Sequence, residues 1–195
     1  MLDLRRKART TNIGRHKKGQ RVRRLSKILT AICAIGGAMA MSAPARADDP
    51  AFLTFGGGYY DVLRQNHDAA EFRAEYWSDY KLWFLRPFVG GMVTSTSSGY
   101  GYAGLRADLF LSRRWVLSGA EAIGAYVRGD GQDLGSVLEF RSAAELAYRF
   151  DNRGRLGVAF YHLSNASTGR INPGTEVLSL FYAIPLGPGT PGPHD

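Results

Sequence analysis

From about residue 51 onward, apolar and polar positions alternate along the chain. A period of two is that of a strand with two unlike faces. No stretch beyond about ten residues keeps a helical period instead. The alternation predicts eight strands, near 51–64, 70–78, 82–94, 100–111, 114–127, 136–150, 154–164 and 175–186. Many of these exceed the roughly 9–11 residues that a tilted strand needs to cross a bilayer. Soluble strands are typically about 5–6 residues long.

The two faces differ in kind. In the sixth strand Leu138, Phe140, Ala144, Leu146, Tyr148 and Phe150 share one side, while Glu139, Arg141, Glu145 and Arg149 share the other. The second strand sets Phe72, Ala74 and Tyr76 against Glu71, Arg73 and Glu75. The fourth sets Leu105, Ala107, Leu109 and Leu111 against Arg106 and Asp108. A membrane barrel accommodates this pattern, with apolar side chains toward lipid and mutually paired charges in the lumen. The expected fold is all-β, an eight-stranded antiparallel transmembrane β-barrel of outer-membrane type. A soluble barrel of lipocalin type remains the alternative, since alternation is common to both classes. Eight strands leave an interior that side chains fill, which argues against a wide pore.

The connections support the membrane reading. Segments 78–81, 112–113 and 151–154 look tight, whereas 65–69, 95–99, 129–135 and 165–174 are longer and rich in Gly, Ser, Asn and Asp. Outer-membrane barrels have short periplasmic turns and longer outer loops. With both chain ends in the periplasm, the four longer connections fall on the outer side.

Charge changes the picture only at the front. Of 25 Lys and Arg, 12 precede residue 48, against one of the 17 acids. The formal net charge of +8 therefore resides in the N-terminal segment, and the remainder is mildly acidic. An apolar run from Ile28 to Met41 follows, then Ser42-Ala-Pro-Ala-Arg-Ala47. That order is the n-region, h-region and small-residue cleavage site of a signal peptide. A nucleic-acid-binding tail has no use for the last two parts. The expected organisation is a signal peptide at 1–47, a barrel at 48–186 and a Gly/Pro-rich tail at 187–195. Cys33, the one cysteine, lies within the apolar run, so disulfide and thiol chemistry are excluded from the mature chain.

One strand carries candidate chemistry. His162 and Ser164 stand in Phe160-Tyr-His-Leu-Ser-Asn165. Positions two apart share a face, about 6.6 Å apart along the strand. A histidine so placed can take the serine's proton during nucleophilic attack. Glu176 opens the next strand, after Asn172-Pro-Gly174, and antiparallel pairing puts it opposite residues near 162–164. A carboxylate there could orient the imidazole. All three fall on the apolar, lipid-facing side, where polar groups are costly. A chance cluster of interfacial polar residues is the plainer alternative. Cysteine, histidine and acid spacings give no metal motif.

Over about 130–186 the chain resembles the PagL family of lipid A 3-O-deacylases, also called acyloxyacyl hydrolases. The residues that carry the resemblance are Phe160-Tyr-His-Leu-Ser-Asn165, Asn172-Pro-Gly174 and Glu176, with Asp133-Leu-Gly-Ser136, Glu139-Phe-Arg141 and Glu145-Leu-Ala-Tyr-Arg-Phe150 upstream. The resemblance implies an outer-membrane esterase that cleaves the 3-position acyl ester of lipid A and releases a 3-hydroxy fatty acid. It implies Ser164 as nucleophile, His162 as general base and Glu176 as orienting acid. It also implies that Asn165 and Asn172 help build the oxyanion site. No cofactor or metal is implied. The implied partner is lipid A or lipopolysaccharide in the outer membrane, not nucleic acid, and a homodimer is compatible with it. Two other functions fit the pattern: a non-catalytic adhesin or membrane-stabilising barrel, and a soluble periplasmic barrel that binds a lipid. The tail after Leu186 departs from the usual aromatic end of such barrels.

Overall fold

The computed structural model describes residues 49–187. The expected signal peptide at 1–47, and all of the expected tail but Gly187, lie outside the described residues. Among the described residues, the strands are β1 Ala51–Tyr60, β2 Ala69–Trp77, β3 Leu85–Thr94, β4 Gly99–Phe110, β5 Trp115–Val127, β6 Leu138–Arg149, β7 Arg155–Ser164 and β8 Thr175–Leu186. Each pairs antiparallel with the next, and β1 pairs with β8 to close the barrel. Closure leaves no sheet edge, which a bilayer demands because lipid offers no hydrogen bonds to free backbone.

Several strands are shorter than the alternation suggests, β1 by four residues and β3 and β6 by three each. β1 stops at Tyr60 because Asp61 takes a left-handed conformation, with φ 58°. Its carboxylate then accepts hydrogen bonds from the backbone N–H groups of Asn66 and His67, which winds 61–67 into a turn. β3 begins at Leu85 because Leu82 and Leu85 bond to each other across a tight turn with Trp83 at φ 64°. The connection 78–84 is consequently longer than 95–98, so the expected alternation of loop lengths is not strict.

Inward side chains interleave an ionic network with apolar and aromatic groups. Glu145 lies 3.1 Å from the Arg106 guanidinium, 3.8 Å from Arg73 and 3.9 Å from Arg141. Glu75 bridges Arg73 and Arg141 and accepts hydrogen bonds from Trp77 and Tyr102. Toward the end where β1 begins and β8 finishes, Asp108 joins Arg86, Arg106 and Arg155, and Asp49 joins Arg149 and Arg155. Burial of so many charges is tolerable only where each meets opposite charge and hydrogen bonds. Aromatic rings fill the gaps, with the Arg106 guanidinium 3.4 Å from the Trp77 ring centroid.

The outward side is the reverse. Phe72, Val89, Leu109, Leu146, Leu156 and Leu180 are exposed around the circumference. A continuous apolar skin over a charged interior is the arrangement of a barrel that meets lipid outside.

Candidate active site

The site is built at the ends of β7 and β8, where residues 165–174 connect them. In β7 the odd-numbered residues from Arg155 to Leu163 are buried, and the even-numbered ones point outward. In β8 the same parity holds from Thr175 to Ile184. His162, Ser164 and Glu176 therefore share the outward face.

The β7–β8 ladder pairs His162 directly with Glu176. The imidazole Nδ1 lies 3.0 Å from the Glu176 carboxylate. That bond assigns the Nδ1 proton, which donates to the carboxylate and leaves Nε2 as an acceptor. The imidazole remains 42% exposed while the carboxylate is only 13% exposed. Ser164 is half-buried one strand repeat from His162 and pairs across β6 with Phe140. The three expected residues are thus brought to one corner of the surface, with the histidine–carboxylate pair in contact.

Glycine at 174 is a steric requirement. Gly174 sits at φ 64°, and an added Cβ would come 2.7 Å from the His162 ring carbon Cε1. The imidazole lies against the bare backbone. The Gly174 carbonyl accepts hydrogen bonds from Arg64 and Gln132, which pins the turn to neighbouring loops. Arg64 also places its guanidinium 3.9 Å from Glu176.

The two asparagines divide the work. Asn165 is buried, and its amide nitrogen donates to the Leu134 and Ile171 carbonyls at 2.8 and 2.7 Å. Both hydrogens of that amide are therefore occupied by loop backbone. Asn172 Oδ1 accepts the backbone N–H of Asn165, next to Ser164, and the exposed Asn172 amide reaches the Ser167 hydroxyl at 3.4 Å. Ala166 and Ser167 between them are left-handed, at φ 51° and 64°.

Sequence reading missed Arg64, Gln132 and the steric role of Gly174. The first two come from distant loops and belong to no local pattern. The glycine could have been found, since Asn-Pro-Gly is a turn signal that asks for positive φ.

A closed barrel with an apolar skin, a charged lumen and a Ser/His/Glu corner at one rim defines a membrane-spanning protein of outer-membrane type. The family described as "Lipid A 3-O-deacylase (PagL)" matches residues 57–185, and this chain belongs to that family. Lipid A deacylase PagL of Pseudomonas aeruginosa is 42% identical over 55 residues, which is 28% of this chain and 32% of that relative. The match thus spans about a third of the relative's length. The crystal structure of the outer membrane enzyme PagL superposes with a TM-score of 0.54 at 21% identity, over 69% of this chain and 99% of that one. A de novo designed transmembrane β-barrel gives 0.50 at 12% identity, over 73% and 98%. These two likenesses concern the fold.

Proposed function

We propose that this protein is a serine esterase that removes the 3-linked acyl chain of lipid A at the outer-leaflet interface and releases a 3-hydroxy fatty acid. The observation that carries the reading is the His162–Glu176 contact on the lipid-facing side, beside Ser164. Polar groups there are costly, which favours a functional reason for their presence. A substrate that never leaves the membrane is what they would meet.

In this mechanism the Ser164 hydroxyl attacks the ester carbonyl while His162 Nε2 takes its proton. Glu176 holds the Nδ1 proton and stabilises the imidazolium that forms. The Asn172 amide is the side-chain donor for the developing oxyanion, and Asn165 holds the loop that carries it. His162 then returns the proton to the departing sugar oxygen, leaving the acyl chain on Ser164. Water, deprotonated by His162, attacks the acyl-enzyme and frees the fatty acid. Export to the outer membrane with loss of residues 1–47 belongs to the same proposal.

Mass spectrometry of lipid A from cells producing the protein or its Ser164→Ala form tests it. Loss of one 3-linked hydroxyacyl chain with the wild-type chain and none with Ser164→Ala is the expected result. Equal lipid A in both leaves a non-catalytic barrel as the reading. The N-terminal sequence of protein recovered from outer membranes checks the cleavage after Ala47.

A further inference from the structure

The polar row on the lipid-facing surface does not end at His162. The register continues it sideways: Glu176 on β8 pairs with His162 on β7, His162 with Ser142 on β6, and Ser142 with Glu121 on β5. Ser142 and Glu121 are both exposed on the outward side, and the Ser142 hydroxyl donates to a Glu121 carboxyl oxygen at 2.7 Å. Glu121 is otherwise surrounded by an apolar surface. Leu105 opposes it on β4, and Ile123 is its outward neighbour along β5.

The row also descends. Glu176, His162, Ser142 and Glu121 lie one, two, four and six residues in from the outer ends of their strands. At about 3.3 Å per residue and a tilt near 45°, Glu121 lies roughly 14 Å below the outer end of β5. A carboxyl at that depth on the lipid side is costly and calls for a functional explanation. Next along the strands come Gly119 and Ala144, paired and exposed, with open space where a Gly119 side chain would be. These two small residues leave the surface low beside the Glu121–Ser142 pair.

We propose that Glu121 and Ser142 form a subsite that recognises a hydroxyl on the acyl chain being released; the proposal rests on the deacylase reading above. The chemistry selects the ligand. With its own hydrogen given to Glu121, the Ser142 oxygen is left as an acceptor, and so is the second Glu121 oxygen. Two acceptors call for a hydrogen-bond donor and repel phosphate and ester oxygens. Within an acyl chain, a hydroxyl is the group that donates. One on the β-carbon lies close to the ester carbonyl, as Ser142 lies directly beside His162, where opposed side chains are about 4.5–5.5 Å apart. The remaining alkyl chain then runs over Gly119 and Ala144.

The test uses the folded barrel in detergent micelles and two synthetic lipid A analogues. They differ only in whether the 3-O-acyl chain bears a 3-hydroxyl. The readout is the ratio of kcat/KM for the hydroxylated over the plain substrate. The wild-type protein is expected to favour the hydroxylated one. Glu121→Leu and Ser142→Ala are each expected to shrink that ratio by about tenfold, and Glu121→Gln by less. Leucine suits a lipid-facing position, so Glu121→Leu is expected to fold, which the gel shift between heated and unheated protein checks. An unchanged ratio, or an equal fall on both substrates, overturns the subsite while leaving the deacylase reading intact. Absence of cleavage of either substrate by the wild-type protein overturns both.

Discussion

The Nδ1 of His162 and the carboxylate of Glu176 face each other across the β7–β8 ladder at 3.0 Å, as direct cross-strand partners. The pair is set by register, not by a flexible loop. A one-residue slip of β8 would turn Glu176 into the lumen, so the contact is as firm as the barrel's own pairing.

Glu176→Gln keeps the side-chain volume and removes the charge. Its amide can donate to Nδ1, which would hold the imidazole in the tautomer with its proton on Nε2, where it cannot accept the serine's proton. In the Ser-His-Asp template the equivalent change costs about 10⁴-fold. Hydrolysis of lipid A in micelles is expected to fall between about 10²- and 10⁴-fold. The barrel, whose core lies on the opposite face, is expected to keep its unfolding midpoint in urea.

Gly174→Ala tests the seat of the ring. The new Cβ would meet Cε1 at 2.7 Å, at a backbone φ of 64° that alanine resists. The imidazole must rotate off Glu176 or the turn must shift. Activity is expected to drop by at least about tenfold, since misplacement by about 1 Å can cost 10²-fold. A turnover equal to wild type would show that the ring does not rest on this backbone.

The barrel and the corner were legible in the sequence for a definite reason. Strand parity is strict, so Glu139, Arg141 and Glu145 inside and Leu138, Phe140 and Leu146 outside announce both faces. The same parity places His162, Ser164 and Glu176 together. What parity cannot show is where a strand stops. β1 ends early through the conformation of Asp61 and the bonds of its carboxylate to Asn66 and His67, which alternation does not encode. Nor does it show which strands neighbour a residue sideways. Only the register sets Ser142 beside His162, and Glu121 beside Ser142.

The lumen predicts a stability effect separate from activity. Glu145 serves three arginines, so Glu145→Leu leaves Arg106, Arg73 and Arg141 short of negative charge. Breaking a buried ionic group in this way costs about 3–5 kcal/mol. The urea midpoint in detergent is expected to fall accordingly. Leu180→Val, on the lipid-facing side, is expected to cost less than about 1.5 kcal/mol. Activity per folded molecule is expected to be unchanged in both.

The two asparagines can be separated by what each holds. Asn165→Ala strips the Leu134 and Ile171 carbonyls of their donor, each loss costing about 1–3 kcal/mol. The loop 165–174 is expected to exchange its amide hydrogens faster, and turnover to fall with it. Asn172→Asp keeps the oxygen that accepts the Asn165 N–H and replaces the exposed donor by an acceptor. Loss of one oxyanion donor costs about 10²–10³-fold in kcat. Hydrogen exchange of 165–174 is expected to stay at the wild-type rate in Asn172→Asp while kcat falls by that amount. Faster exchange there, or an unchanged kcat, would assign Asn172 to loop structure and require a different donor for the oxyanion.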